Sequence, residues 1–372
     1  MVGWDEAPSG EESSSLGGCH RQVPSKAEEA GPLERPRILA VATAVPARRV
    51  SQETVVEWFG YTDSLRRAFF LNSGIDARHL HLDAPDPRPE TVDELSARFR
   101  QGSVALATEA VRGCLERADL DVTAVDFLAT TTCTGRLCPS LDAHLIHDLH
   151  FRPDVQRVHV GDTGCASAMV ALQQAWNHLA AFPGHRALVV AAEVCSATYY
   201  LDGEAETAVA NAIFADGAGA LLLGAGDAGP RVVDHRTVIR SEYLDRMGFT
   251  FPGGRHRVLL SPDVRRIAPA MMEELANRLL KDHGLAREDV RHWVLHSAGR
   301  RVIERAQETL GLTDDDVTFS REVLRRYGNM SSATVLFVLD AVLRSGRPRA
   351  GDWGLMVALG PGFAAEGALL RW

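Results

Sequence analysis

The sequence lacks several features that would place it in other classes of protein. None of its six cysteines belongs to a Cys-x-x-Cys pair or a zinc-ligand spacing, which argues against a zinc module or a disulfide framework. No apolar run is long enough to cross a bilayer, and the first residues are acidic rather than hydrophobic. Excess positive charge is missing as well: the formal net charge is −9, which disfavours nucleic acid and anionic membranes as partners. We therefore expect a cytoplasmic protein.

The composition is that of a large folded protein. Its 372 residues are 45% hydrophobic, enough for a substantial core. Residues 1–34 are rich in Gly, Ser, Pro and Glu without periodicity, which predicts a disordered arm. From Arg35 onward, apolar strand-like runs alternate with amphipathic helical segments, a pattern typical of an α/β fold.

The alternating pattern occurs twice. A Gly-rich break at 224–230 separates a half at 35–228 from a half at 229–372. "VDFLATTTCTGR" in the first half resembles "RHWVLHSAGR" in the second, and "GCASAMVAL" resembles "GNMSSATVL". A duplicated α/β unit implies a pseudo-two-fold axis, so equivalent strand ends and helix starts would face one cleft. Cys165 and Asn329 would then occupy equivalent helix starts, with His296 at a strand end.

The stretch "VHVGDTGCASAMVALQQAW" predicts a strand, a glycine turn and a helix whose first turn carries Cys165. The helix N-terminus is expected to favour a thiolate and lower the pKa of this cysteine. Taken alone, the stretch fits a buried structural cysteine equally well.

Cys165, His296 and Asn329 together suit acyl transfer. The thiol would hold an acyl group as a thioester, while the imidazole and the amide would donate hydrogen bonds to an oxyanion or enolate. A cysteine protease uses the same residue types in a base–orienter arrangement, and composition alone leaves that alternative open.

The same segments resemble a known family. "GCASAMVALQQA", "WVLHSAGRRVI", "VLRRYGNMSSATVLFVLD" and "ALGPGFAAEGALLRW" are similar to the type III polyketide synthases, the chalcone synthase family, from about Arg35 to Trp372. The resemblance implies a thiolase fold with layered α-β-α-β-α architecture. It also implies that Cys165, His296 and Asn329 are catalytic and that Phe214 is a gatekeeper.

The resemblance places further residues around a cavity. Cys133 and Thr134 would line a cyclisation pocket, with Cys138 in a region that reaches across the dimer interface. Thr198 would lie against the growing chain and Ser331 near the nucleophile. The floor loop would be Gly360, Pro361 and Gly362, and the basic patch for CoA would include Arg66 and Arg67.

The chain departs from the family pattern at two places. The usual Gly-Phe-Gly-Pro-Gly loop is Ala358 to Gly362 here, with Leu359 in place of phenylalanine. A second gatekeeper phenylalanine is replaced by an ambiguous region in which either Phe251 or Val258 would fall nearby. Starter choice and chain length are therefore the open part of the prediction.

Within the family, "WVLHSAG", "GFTFPGG" and the C-terminal segment look most like the bacterial 3,5-dihydroxyphenylacetyl-CoA synthases. This implies a homodimer that converts malonyl-CoA alone into a resorcinol-type product for antibiotic biosynthesis, with no cofactor and no acyl carrier protein. The alternatives are a synthase with a fatty-acyl or aromatic starter, a KAS III-like single-condensation enzyme fed by a carrier protein, and a catalytically dead binding scaffold. The intact catalytic residues argue against the scaffold.

One other motif suggests a metal. "HLIHDLH" carries His144, His147 and His150 on a predicted helix. Leu141, Leu145 and Leu149 form its apolar face, so the histidines lie off that face and drift around the helix. We therefore expect no metal site there.

Overall fold

The computed structural model describes residues 35–82 and 90–372. The arm predicted for residues 1–34 lies outside the described residues. The strands are β1 (Arg37–Ala44), β2 (Arg49–Ser51), β3 (Ala77–His79), β4 (Phe127–Thr132), β5 (Gln156–Gly161), β6 (Ala187–Val194), β7 (Asp216–Gly224), β8 (Arg231–Ile239), β9 (Met247–Thr250), β10 (Arg257–Leu260), β11 (Val290–Leu295), β12 (Trp353–Gly360) and β13 (Ala364–Arg371). The helices are α1 (Gln52–Trp58), α2 (Ser64–Leu71), α3 (Val92–Arg117), α4 (Leu141–Leu149), α5 (Ser167–Ala181), α6 (Ala205–Ile213), α7 (Val264–Asp282), α8 (Arg300–Leu310), α9 (Thr318–Tyr327) and α10 (Thr334–Arg344).

The main sheet repeats one strand order. Its order is β11-β12-β13-β8-β1-β7-β6-β4-β5 in the described chain. From the outside inward, the second half contributes β11, β12, β13 and β8, and the first half contributes β4, β6, β7 and β1. In each set the first two strands pair in parallel, and the later pairs are antiparallel. Only β5 has no counterpart in this sheet. The two half-sheets are joined at the pair Arg37 and Arg231. The duplication predicted from the sequence is therefore visible in the topology.

The helices form three layers around the two half-sheets. Helices α3 and α4 pack on the outer face of the first half through one apolar core. Helices α7 and α8 cover the outer face of the second half through another. Helices α5 and α10 lie between the half-sheets, and their apolar residues join both halves in one central core. This is the layered α-β-α-β-α thiolase architecture expected from the sequence, and it buries both helix starts at the centre of the molecule.

Outside the main sheet, β9 and β10 form an antiparallel hairpin, and β2 pairs with β3. Among residues 35–82 and 90–372, no helix has the length and apolar content to traverse a membrane.

Candidate active site

Cys165 lies at the start of α5, as predicted. The chain leaves β5 through Asp162 and Gly164, both in the left-handed region at φ 60° and 57°, and forms a 3-10 turn at Gly164–Ala166 before the α-helix begins. After this reversal Cys165 is half-buried as a whole residue, while its neighbour Ala166 is buried.

The loop after β12 packs directly on this turn. A Cβ on Gly360 would lie 2.2 Å from the carbonyl oxygen of Thr163, and a Cβ on Gly164 would lie 2.1 Å from Cδ of Pro361. Glycine is therefore required at both positions for close backbone approach. The predicted floor loop supports the nucleophile turn from behind, while Gly362 has φ 76° and open space around its Cα.

Asn329 occupies the equivalent place in the second half, just before the 3-10 turn Ser331–Ala333 that leads into α10. Its Oδ1 accepts hydrogen bonds from the backbone N–H of Ser331 at 2.9 Å and from Oγ1 of Thr334 at 3.3 Å. Its Nδ2 donates to the carbonyl of Ala298 at 3.3 Å. The amide thus caps the turn with its oxygen, as an asparagine before a helix commonly does, which fixes the direction of its N–H donors.

His296 follows the last residue of β11 and is 1% exposed. Its main chain extends the sheet by donating to the carbonyl of Val357 at 2.9 Å. Neither ring nitrogen has a hydrogen-bond partner in the described structure. A buried imidazole with both nitrogens unpaired costs free energy. This cost is relieved if the imidazole exchanges a proton with the thiol or donates to a substrate oxygen.

Burial dominates the electrostatics of the thiol and the imidazole. It raises the pKa of Cys165 to about 12, and the hydrogen bonds from Ser331 and Asn329, which lower it, do not compensate. This is opposite to the lowering expected from the helix N-terminus alone, because the thiol lies in a desolvated turn. Burial also lowers the pKa of His296 to about 4. The direction of both shifts favours the neutral thiol and the neutral imidazole.

A serine connects the thiol to the cavity wall. The hydroxyl of Ser331 lies 3.5 Å from Sγ of Cys165 and 3.0 Å from Sγ of Cys133. Ser331 adopts φ 49° and is 2% exposed. Cys133, Ser331 and Cys165 therefore come together as expected.

A buried carboxylate that sequence analysis missed holds this wall. Glu193, at the end of β6, is fully buried and accepts hydrogen bonds from the backbone N–H of Cys133 at 3.1 Å and from the hydroxyl of Ser332. It also accepts from the hydroxyls of Thr132 and Thr134 at 3.1 and 2.8 Å. Burial raises its pKa. Thr134 thus turns its hydroxyl toward Glu193. In sequence, Glu193 follows a buried strand, and that position is the one signal that could have singled it out.

Phe214 and Thr198 lie on the segments around α6. Phe214 ends α6, is partly exposed, and its backbone forms an isolated parallel bridge with Asn329. Thr198 ends a 3-10 turn, is 4% exposed, and donates its hydroxyl to the carbonyl of Cys195 at 2.9 Å. The bridge brings the predicted gatekeeper next to the predicted catalytic amide.

The remaining predicted residues lie farther out. Cys138 is exposed and precedes Pro139. Arg66 and Arg67 lie on α2, where Arg66 pairs with Asp63 at 3.1 Å and Arg67 donates to the carbonyl of Tyr61 at 3.4 Å.

The two candidates for a second gatekeeper both lie on the β9–β10 hairpin. Phe251 is 49% exposed at its tip, with its ring edge-on to His256 and beneath the guanidinium of Arg136. Val258 pairs across the hairpin with Phe249. The hairpin is a feature that the alternating pattern of the sequence did not reveal.

The three histidines of the "HLIHDLH" motif do not converge. His147 is exposed beside Asp148, and His150 caps α4 in the left-handed conformation. In the described residues, no group of three or more His, Cys, Asp or Glu side chains is arranged to hold a metal ion.

A half-buried thiol, an imidazole without a hydrogen-bond partner in the described residues and an oriented amide lie at the junction of two duplicated α/β halves. This arrangement suits an acyl-transferring enzyme of the thiolase fold, with Cys165 as the candidate nucleophile. Two family models match the chain: the C-terminal domain of chalcone and stilbene synthases over residues 243–372, and FAE1/type III polyketide synthase-like proteins over residues 73–237.

The chain is 37% identical to a 3,5-dihydroxyphenylacetyl-CoA synthase of Streptomyces toyocaensis, over 91% of this chain and 90% of that protein. It is 32% identical to a 1,3,6,8-tetrahydroxynaphthalene synthase of Streptomyces peucetius subsp. caesius, over 90% and 93%. Among solved structures, PKS-I from the brown alga Ectocarpus siliculosus superposes with a TM-score of 0.84 at 28% identity, covering 92% of this chain and all of that one. The protein therefore belongs to the type III polyketide synthase family, the chalcone and stilbene synthases, as the resemblance of its motifs predicted.

Proposed function

We propose that this synthase uses malonyl-CoA as both starter and extender and makes 3,5-dihydroxyphenylacetyl-CoA or a closely related resorcinol-type product for antibiotic biosynthesis. The observation that carries the proposal is the 37% identity to the Streptomyces toyocaensis synthase across nearly the whole of both chains.

The chemistry of the cavity wall supports this substrate. The hydroxyl of Ser331 lies 3.5 Å from Sγ of Cys165, and the thiol of Cys133 lies 3.0 Å from the same hydroxyl. Both are small and weakly polar, and they suit a chain with a carbonyl at every second carbon. Large apolar or aromatic starters gain most from large apolar surfaces, which these groups do not supply.

Loading would proceed through Cys165. As its Sγ attacks the thioester carbonyl of an acyl-CoA, its proton passes to His296, whose imidazole is neutral before the attack. The carbonyl–sulfur bond of the acyl-CoA then breaks, and the CoA thiolate leaves with the proton that His296 returns. The acyl group is now a thioester of Cys165.

Extension would use the amide and the imidazole as donors. When the carbon–carbon bond to the malonyl carboxylate breaks, carbon dioxide leaves and the bonding electrons form an enolate. N–H groups of Asn329 and His296 stabilise the enolate oxygen. The enolate carbon attacks the thioester carbonyl, the Cys165 thiolate is released, and the longer chain remains on CoA. These steps balance without an oxidant, a reductant or a metal ion, so CoA thioesters are the only small molecules that this scheme needs.

The CoA end would be bound near α2. Arg66 and Arg67 are half-buried on this helix, and Arg66 is already held by Asp63. They can offer charge-assisted hydrogen bonds to phosphate. Recognition of free CoA at this surface, rather than of a carrier protein, distinguishes the proposal from a KAS III-like single condensation.

A homodimer is also part of the proposal. Strand β5 lies at the end of the main sheet, and each of its residues is exposed or half-buried. An uncovered edge strand pairs readily with a second copy. Cys138 is exposed in the loop just before α4, where it would reach the partner subunit. The described cysteines form no disulfide, which suits a reducing cytoplasm. They are Cys114, Cys133, Cys138, Cys165 and Cys195.

The test supplies isotopically labelled malonyl-CoA as sole substrate and identifies products by mass. We expect a dihydroxyphenylacetyl thioester or acid labelled at every carbon pair. The matched controls are Cys165→Ala, which should make none, and Cys114→Ala, a buried thiol of α3, which should behave as wild type. Strong turnover only after a long-chain or aromatic acyl-CoA is added would overturn the substrate. Turnover only with malonyl attached to a carrier protein would favour the single-condensation alternative.

A further inference from the structure

Arg78, on β3, is a buried cation outside the predicted catalytic set. Its side chain is fully buried, and no carboxylate in residues 35–82 or 90–372 forms an ion pair with it. Its Nε and Nη2 have no hydrogen-bond partner there. The rings of Phe70 and Tyr199 lie 5.7 and 5.9 Å from the guanidinium carbon.

One nitrogen of Arg78 makes all of its hydrogen bonds. Nη1 donates to the carbonyls of Phe214 and Asn211, both at 2.6 Å, and to the hydroxyl of Tyr199 at 3.1 Å. The Tyr199 hydroxyl in turn donates to the same Phe214 carbonyl at 2.8 Å. The carbonyl at the end of α6 is therefore held by two donors, one of them charged.

The segment held in this way is bonded to the backbone of Asn329 on both sides. The N–H of Asn329 donates to the carbonyl of Ile213, and the N–H of Ala215 donates to the carbonyl of Asn329, each at 2.8 Å. Gly328, with φ 77°, precedes Asn329. A Cβ there would lie 3.0 Å from Cγ of Arg78 and 3.0 Å from the carbonyl oxygen of Ile213. The stem of Arg78 and its guanidinium thus contact both sides of the Phe214–Asn329 junction.

Stability alone does not account for this arrangement. Removing a guanidinium from water without a directly paired carboxylate destabilises the fold, since Asp216 acts on it only at a distance, and an apolar side chain of similar size packs such a site more favourably. We propose that Arg78 is a positioning residue: it sets the alignment of the gatekeeper Phe214 and the oxyanion-donating amide of Asn329. This inference rests on the proposed roles of those two residues.

The experiment compares Arg78→Met and Arg78→Lys with wild type. The matched control is Arg37→Met, because Nη1 of Arg37 also donates to a backbone carbonyl, that of Gly229, at 2.5 Å, on a strand away from the site. Malonyl-CoA decarboxylation is the principal readout, since it depends on the enolate donors and not on the starter. The thermal unfolding midpoint and the KM for malonyl-CoA are measured alongside.

Arg78→Met should lower kcat for decarboxylation and extension by about 10²-fold, the order of loss that a 1 Å misplacement produces, while KM stays within about threefold. Arg78→Lys should recover part of kcat, since lysine can donate to the Phe214 carbonyl, and Arg37→Met should match wild type. Wild-type kcat in folded Arg78→Met would overturn the proposal. So would equal losses in Arg37→Met and Arg78→Met, which would show general destabilisation.

Tyr199→Phe gives a second test should Arg78→Met fail to fold. It removes only the hydroxyl that shares the Phe214 carbonyl, and it should lower kcat for decarboxylation severalfold at unchanged KM. An unaltered kcat would count against the positioning role. Absence of decarboxylation by the wild-type enzyme would instead overturn the proposed function itself, so the two failures are distinguishable.

Discussion

The starts of α5 and α10 occupy equivalent places in the two halves and do different chemistry. Each follows a backbone reversal with left-handed residues, Asp162 and Gly164 in the first half and Gly328 and Ser331 in the second. Each then forms a short 3-10 turn before its α-helix. The first start presents a thiol and the second an amide. Duplication has thus placed two similar turns against one another, and divergence of a few residues separates the proposed nucleophile from the proposed electrostatic donor.

The two starts also differ in what supports them. The first is backed by the Gly360–Pro361 loop of the opposite half. The second is backed by Arg78 and the Phe214 segment of the opposite half. Each catalytic turn is therefore held in place by the other half of the molecule, so the site exists only when both halves are packed together.

The largest effect is expected from removing the amide at the start of α10. Asn329→Ala should reduce malonyl-CoA decarboxylation by about 10²–10³-fold, the usual loss for one oxyanion donor. Acyl loading of Cys165 should fall much less, because the thiol–imidazole pair remains. His296→Gln should impair both steps. The check is to measure carbon dioxide release and acyl-enzyme formation separately, and equal loading defects in the two variants would contradict the division of roles.

The next largest effect is expected from the Gly360–Pro361 loop that packs on the Cys165 turn. Gly360→Ala places a Cβ 2.2 Å from the Thr163 carbonyl, so the nucleophile turn must shift, and extension should fall by about 10²-fold. Gly362→Ala meets no atom within 4 Å and should cost only the strain of a left-handed alanine, about 1–2 kcal/mol of stability. Its turnover loss should stay below about fivefold. Similar turnover for the two variants would show that the loop does not position Cys165.

The proposed proton transfer from Cys165 to His296 predicts a pH effect. Burial raises the pKa of Cys165 to about 12 and lowers that of His296 to about 4, so each group resists ionising alone, and in the proposed loading step the thiolate forms as its proton moves to the ring. The imidazolium so formed favours the thiolate. His296→Gln removes the acceptor, so the pH profile of iodoacetamide alkylation at Cys165 should move to higher pH. Overlapping profiles between pH 6 and 10 would refute the coupling.

The smallest effect concerns a buried carboxyl in the second half. Burial raises the pKa of Glu366 from 4.5 to about 7, although Thr237 donates to it at 2.6 Å. The folded state therefore binds more protons than the unfolded state between these values, and stability falls as pH rises through this range, by on the order of 1–3 kcal/mol. Glu366→Gln should reduce this loss of stability with rising pH. Urea unfolding at pH 5 and pH 8 measures the change in stability, with Glu308→Gln, at an exposed position, as control. An unchanged pH dependence in Glu366→Gln would argue against this role of Glu366.

Much of this architecture could be predicted from the sequence because its signals are local. The alternation of strands and helices expected from Arg35 onward is present from β4 to β7, with α4, α5 and α6 between successive strands. The glycine turn before Cys165 and the "YGNMSSA" segment mark the two helix starts in the same local way. That these two helix starts lie close together could be predicted only because the sequence repeats.

Other parts of the site depend on contacts that no local pattern contains. Arg78 lies on a three-residue strand and reaches Phe214, 136 positions away. Glu193 collects donors from Cys133 and Ser332, far apart in the chain. The rise in the pKa of Cys165 likewise follows from burial by surrounding elements, whereas its sequence context alone suggested a fall.

The most direct test of the account is the mass of the enzyme after brief incubation with labelled malonyl-CoA, followed by mapping of the acylated peptide. The account predicts a labelled acyl group on Cys165, absent from Cys165→Ala, which should retain some carbon dioxide release because His296 and Asn329 remain. Polyketide formation by Cys165→Ala, or a labelled acyl group on a residue other than Cys165 in the active enzyme, would contradict it.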